Sequence, residues 1–271
     1  MAKHILRNAA STIGAMVAGS VLLAATAFAE APAPTVKKLA VGAPTHLLFV
    51  GNSYLYYGDS LHNHVRRMVY AGNPDMKART LKYKSATISG SALHDHTIEA
   101  YIEPGKLRVK KPFQAVILQG GSAVGWSKKR PPVFMATVAE FAEKIRAAGG
   151  EPVLYMTQAY VKPHKRVDPG MTDKLNQIYT EAGNANNALV IPVGLAFAEA
   201  YKRKPDASFH KPFDGSHPNL LGTYLAAATV YASLYGDPVG NPYDYFGKIS
   251  KDDMAFLQQV AQDTVTKYYG R

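Results

Sequence analysis

The chain contains no cysteine. Structural disulfides, thiolate metal ligands and lipid attachment at a processed N-terminal cysteine are therefore all excluded. Tryptophan occurs once, at Trp126, and beyond the N-terminus there is no second long apolar run. Phosphate-cradling loops are missing too: there is no Gly-Lys-Ser/Thr, and no Gly-x-Gly-x-x-Gly follows a strand-like segment. Acidic residues are scarce, 20 Asp and Glu against 31 Lys and Arg, for a formal charge of +11. The surplus is scattered, with local clusters at Arg108–Lys111 and Lys128–Arg130. Nucleic-acid binding favours a basic stripe interleaved with aromatics, which this pattern is not, so no nucleic-acid partner is expected. A diffuse basic surface suits an exported protein working near an anionic envelope or acidic polymers.

What is present at the N-terminus is a leader pattern. Lys3 and Arg7 form a basic start, Ala9 to Ala27 is apolar and small, and Ala27-Phe-Ala29 fits the A-x-A cleavage pattern before Glu30. The expectation is a signal peptide over 1–29, cut after Ala29, and a periplasmic or secreted product with no stable membrane insertion afterwards. An uncleaved anchor is the other reading, but the segment is rich in Ala, Gly, Ser and Thr. Glu30-Ala-Pro-Ala-Pro-Thr-Val-Lys-Lys38 reads as a short Pro/Ala linker, giving 30–43 as linker and 44–271 as one domain. Without disulfides that domain depends on its apolar core, and it is long enough to form one.

Apolar runs bounded by turn residues recur along it: Leu47–Val50, a more polar Thr80–Ile88, Ala115–Leu118, Pro152–Thr157 and Leu189–Val193. Helical patterns lie among and beyond them, over Leu61–Ala71, Pro132–Ala148, Asp173–Asn184, Leu220–Leu234 and Asp252–Tyr268. Strands alternating with helices predict a three-layer α/β/α sandwich, flavodoxin-like, around a five-stranded parallel sheet. Strand order 2-1-3-4-5 is expected, because it puts a switch point, and so a ligand crevice, beside the first strand.

Ser53 stands at that crevice. Four apolar residues end at Gly51-Asn-Ser53, and helical spacing resumes at Leu61. A serine between strand end and helix start presents its hydroxyl where α/β sheets bind ligands, but needs a base to become a nucleophile. His217 is the candidate base. Asp214, three residues before it in Asp214-Gly-Ser-His-Pro218, is close enough in sequence to fold its carboxylate onto the ring. A developing oxyanion needs donors. The Ser53 amide is one, Gly90 after the second strand is another because it lets the backbone approach without a Cβ, and Gln119 at the end of the third carries a side-chain amide. Tyr54 and Trp126 are candidate substrate contacts, Trp126 by stacking on a sugar ring, with Tyr56 and Tyr57 as further wall residues. The pairs His62/His64 and His94/His96 are two apart and lack a third ligand, so no metal site is expected.

Four of these blocks together resemble the SGNH (GDSL-type) hydrolase superfamily, in a divergent branch with a Gly-Asn-Ser start. Phe49-Val-Gly-Asn-Ser-Tyr54 is similar to the nucleophile block and Ser89-Gly-Ser-Ala-Leu93 to the oxyanion-glycine block. Ile117-Leu-Gln-Gly-Gly-Ser122 is similar to the third block, and Asp214–Pro218 to the Asp-x-x-His block. The resemblance implies an α/β/α fold and ester hydrolysis through an acyl-enzyme, with no metal or organic cofactor. It also implies acyl esters of carbohydrate or lipid as substrates, small molecule or polysaccharide. Asn52 stands where the commonest family version has Asp. The third block lacks its usual Asn, leaving Gln119 or Ser122 as third donor, Gln119 preferred because its amide preserves the donor type. The lipase elbow Gly-x-Ser-x-Gly is absent. An acyltransferase using the same triad, and a carbohydrate-binding protein without turnover, are the alternatives to a short-chain or acetyl esterase.

Overall fold

Five apolar runs become five strands in the computed structural model, which describes Met1 and residues 32–271. They are β1 (His46–Gly51), β2 (Lys82–Thr87), β3 (Ala115–Leu118), β4 (Glu151–Tyr155) and β5 (Leu189–Ile191). All pairings are parallel, in the order β2-β1-β3-β4-β5, as the sequence predicts. Around them lie α1 (Leu61–Ala71), the single-turn α2 (Glu99–Ile102), α3 (Arg130–Ala147), α4 (Met171–Ala185), α5 (Val193–Arg203), α6 (Leu220–Leu234) and α7 (Lys251–Tyr269).

The continuous apolar character of β1 follows from its position. Successive side chains of a strand point to opposite faces, and here both faces are covered. Leu47 and Phe49 enter a core with Val65 of α1, Phe197 of α5, Tyr224 of α6 and Leu257 of α7. Leu48 and Val50 enter the other, with Phe134 and Val138 of α3 and Leu175 and Tyr179 of α4. A strand buried on both faces has no polar side to alternate with. Helix α6 is the helical counterpart: every residue from Gly222 to Leu234 is buried, so it shows no polar stripe.

Besides the single-turn α2, which the sequence reading does not include, two elements differ from it. The second strand is Lys82–Thr87 rather than Thr80–Ile88, because residues 78–80 form a tight helical turn before it. Helix α5 is not anticipated at all. It starts two residues after β5, with only Pro192 between, so the strand's apolar run continues into the helix without the polar punctuation that marks a boundary.

The leader over 1–29 lies, Met1 aside, outside the described residues. Much of the segment read as linker is tied to the domain. Thr35 N–H donates to Asn184 Oδ1 at 2.8 Å, and the N–H groups of Ala40 and Val41 donate to the Glu151 carboxylate at 2.9 Å each. Leu39 is buried in the first core. No helix among the described residues is long and apolar enough to cross a membrane.

Candidate active site

At the end of β1 the chain turns sharply. Asn52 is extended and its side-chain oxygen accepts the Tyr54 N–H at 3.2 Å, capping the one-turn helix Ser53–Leu55. Its Nδ2 donates to the Ser91 carbonyl at 2.9 Å, tying the Ser53 turn to the loop after β2. An Asp could accept the Tyr54 N–H in the same way, but an ionised carboxylate has no donor for the Ser91 carbonyl, so that tie depends on the asparagine amide.

Asp214 and His217 come from the loop before α6. Asp214 Oδ1 accepts the N–H groups of Ser216 at 2.7 Å and His217 at 3.0 Å, and Oδ2 meets His217 Nδ1 at 2.7 Å. His217 Nε2 lies 2.7 Å from Ser53 Oγ. With the ring neutral, an ionised Asp214 fixes the proton on Nδ1 and leaves Nε2 as acceptor for the Ser53 hydroxyl. Burial would raise the Asp214 carboxyl, but the hydrogen bonds from Ser216 and His217 outweigh it and hold it below its ordinary value. Asn219 caps α6 through the Gly222 N–H at 2.9 Å, fixing the loop to a buried helix. Tyr57 stacks on the His217 ring with centroids 4.2 Å apart, and Tyr54 meets it edge-on at 5.2 Å.

These groups open onto a cavity of about 240 Å³ whose lining includes Ser53, Gly90, Gly121, Arg130, Tyr160 and His217. Gly90 has φ +70° and open space where a Cβ would be. Among the described residues neither the Ser53 nor the Gly90 N–H has an internal acceptor, as two donors available to a ligand require. Tyr54 also lines the cavity, its hydroxyl 2.5 Å from Ser216 Oγ and its pKa pushed up by burial.

Gln119 stands elsewhere than expected, which corrects the reading of it as third oxyanion donor. It is 1% exposed and does not line the cavity. Its Oε1 accepts the Asn52 N–H at 3.0 Å, while Nε2 is buried without a partner. The register explains this: Val50 pairs with Leu118, so Gly51 and Gln119 follow side by side. The glutamine amide fills the space where a Gly51 Cβ would be, 2.3 Å from that point. Ser122, the alternative, does line the cavity, but its hydroxyl donates to the Gln158 carbonyl at 2.6 Å. Gln119→Ala is expected to destabilise by about 1–3 kcal/mol, the cost of leaving the buried Asn52 N–H without an acceptor. Gly51→Ala combined with Gln119→Ala should cost less than the sum of the two singles, because the second removes the obstacle to the first; thermal denaturation of the four proteins decides it.

Trp126 does not line the cavity; it is 37% exposed with the Arg166 guanidinium 3.5 Å from its ring centroid. Two of the histidines paired in the sequence hold loops. His64 Nε2 bonds the Gly58 carbonyl at 2.5 Å, and His96 Nε2 lies 3.2 Å from Ser91 Oγ. Among the described residues no three His, Asp or Glu side chains gather in a metal-holding group.

His210, beneath the Asp214 loop, is 2% exposed, and burial pulls its pKa down to about 4. Between about pH 6.5 and 4 the unfolded chain takes up a proton that folded His210 refuses. Stability present above pH 6.5 is therefore lost over that window, by about 3 kcal/mol. Melting temperature should fall accordingly, and His210→Phe should flatten the slope.

Sequence reasoning did not find Arg130, Tyr160 and Ser216 in the cavity lining, nor Gln158 bonded to Ser122 and Ser216 beside it. Gln158 and Tyr160 lie on the loop after β4 and Arg130 at the start of α3, outside any motif, whereas Ser216 sits inside the Asp214–Pro218 block and only its neighbours there were singled out.

No family model matches this chain, and no curated protein does. Solved structures do. A DUF4886 family protein from Bacteroides uniformis has TM-score 0.63 at 18% identity, covering 82% of this chain and 95% of that one. A protein assigned as an SGNH hydrolase from Slackia heliotrinireducens has TM-score 0.54 at 20% identity, over 70% and 98%. The acetylxylan esterase Axe2 from Geobacillus stearothermophilus, solved as a catalytic mutant, has TM-score 0.52 at 18% identity, over 72% and 95%. The fold is that of the SGNH hydrolases.

Proposed function

We propose that this chain is an exported serine esterase, hydrolysing short acyl esters of carbohydrate through an acyl-enzyme. The observation that carries the reading is the unbroken hydrogen-bond chain from Ser53 Oγ through His217 to Asp214, 2.7 Å at each link.

Ser53 Oγ attacks the acyl carbonyl as its proton passes to His217 Nε2. Asp214 holds the resulting imidazolium and its orientation. The N–H groups of Ser53 and Gly90 receive the oxyanion. Collapse breaks the ester C–O bond, and the alcohol leaves with the proton from His217. Water then gives a proton to His217 and attacks the acyl-serine; the carboxylic acid departs and Ser53 regains its hydrogen. The cavity, about 240 Å³, is below the roughly 300–1,000 Å³ typical of drug-sized ligands, which favours acetyl and other small acyl groups. The likeness to an acetylxylan esterase points the same way for the alcohol. Export follows from the leader reading, with cleavage after Ala29 leaving a product in the periplasm or outside the cell.

The test is a fluorophosphonate probe with p-nitrophenyl acetate turnover. Covalent labelling that maps to Ser53, with free acetate as product, supports the reading. A folded wild-type protein that is neither labelled nor active overturns it, and acyl transfer to an added polyol in place of acid release would make it a transferase.

A further inference from the structure

The hydrolytic reading leaves part of the cavity lining unexplained. Arg130 belongs to it, and no Asp or Glu does. Arg130 is exposed at the cavity mouth, and among the described residues its side chain makes no ion pair or hydrogen bond. Nor does the fold require a cation there. Arg130 opens α3, with Lys129 as its N-cap and no acid in the first turn. Helix starts favour anions and side-chain caps, and cations oppose the macrodipole. Pro131 and Pro132 suit a helix start; Lys128, Lys129 and Arg130 cost it stability. Residues that break a local rule in this way mark functional positions.

Two other cations lie against aromatic rings on neighbouring segments. Lys211 Nζ lies 5.9 Å from the ring centroid of Tyr57, the residue stacked on His217. Arg166 covers Trp126, on the loop leading to Arg130. Acids on the loops after β2 and β4 and before α6 are committed. Asp214 serves His217, Asp168 meets Lys174 at 2.6 Å and accepts the Gly170 N–H, and Asp95 accepts the Ala92 N–H at 2.8 Å. An unpaired guanidinium at the mouth of the reacting cavity, with no carboxylate in the lining, is complementary to an anion.

We infer that the alcohol part of the substrate is itself anionic, a carboxylate-bearing saccharide whose carboxylate is read by Arg130. The inference rests on the esterase reading for the reaction but not for the binding. The guanidinium fork matches a carboxylate bidentately, and the polar lining of the cavity, with Asn52, Ser91, Ser122 and Tyr160, suits a sugar better than a lipid chain.

Para-acetoxybenzoate and neutral para-acetoxybenzamide isolate the charge. At low ionic strength the wild type should prefer the benzoate by about tenfold or more in kcat/KM, the range of one charge-assisted hydrogen bond, with the gap narrowing in high salt. Arg130→Gln should remove the preference and Arg130→Lys should keep part of it. O-acetylated polygalacturonate should be preferred over acetylated xylan in the same sense. Binding of a galacturonate oligomer to Ser53→Ala, by calorimetry, reads the site without turnover, and the Ser53→Ala/Arg130→Gln double variant should lose it. Equal kcat/KM for both benzoate and benzamide in an enzyme that labels at Ser53 overturns this inference and leaves the esterase intact. Absent labelling with retained, Arg130-dependent oligomer binding does the reverse. Binding to anionic phospholipid vesicles without oligomer binding overturns the saccharide assignment.

Discussion

Ser53→Ala lowers kcat/KM on p-nitrophenyl acetate by about 10⁴-fold or more, the scale on which residues acting as one nucleophilic unit fall together. His217→Ala does the same, and the double variant falls no further, because either loss already disables the proton transfer. Ser53 is at the surface of the cavity and its hydroxyl bonds His217, so the Ser53→Ala fold should survive with a melting temperature within about 2 °C of wild type. Asp214→Asn is the sharper test. Oδ1 of Asp214 accepts two backbone N–H groups while Oδ2 faces the ring. An amide has one acceptor oxygen. Turned to keep the backbone bonds, it points its NH₂ at His217 Nδ1, which must then accept, and the ring proton moves to Nε2. That tautomer cannot take the Ser53 proton, and a loss of about 10⁴-fold is expected. Steady-state kinetics on the four folded variants settle the matter; turnover that survives Ser53→Ala sinks the mechanism.

Gly215→Ala is expected to be the most damaging conservative change outside the triad. Gly215 has φ +63°, and a Cβ there would lie 2.0 Å from the Val161 carbonyl oxygen. The same strand-like contact is held by the Val161 N–H donating to the Gly215 carbonyl at 2.9 Å. Left-handed backbone costs alanine about 1–2 kcal/mol, and the obstacle is backbone, which cannot swing aside. A total of about 3 kcal/mol or more follows, seen as a melting temperature lower by about 6–12 °C. Asp214 and His217 flank the site, so the loop's shift should also reduce kcat by about 10²-fold. Gly240→Ala provides the contrast: φ is +81° but nothing lies within 4 Å of a Cβ. It should cost only the backbone strain and leave turnover alone. Equal losses from the two substitutions would mean that the Val161 contact does not matter.

Much of this was legible beforehand, for identifiable reasons. The strands read clearly because a central parallel strand is apolar on both faces. Asp214 and His217 read together because their geometry is local: a three-residue turn with Gly215 lets one side chain reach the other. Gln119 was misread because a strand-end amide looks the same whether it faces the crevice or the neighbouring turn. That choice was made by Gly51, one strand away, where the missing side chain leaves room. Helix α5 stayed hidden because a helix buried directly after a buried strand carries no change of polarity at the join.

Taken alone, the order of residues determined the alternation of strands and helices, the sheet order and the pairing of Asp214 with His217, all of which arise from periodicity and short-range contact. Only the folded chain decided that Ser53, 164 positions before His217, meets it at 2.7 Å, and that Tyr57 covers the ring. It also decided that Arg130 lines the same cavity as the reacting serine, with no partner of its own among the described residues. Those relations depend on how loops from different strand ends converge at one edge of a twisted sheet, and no local pattern encodes the distance between them.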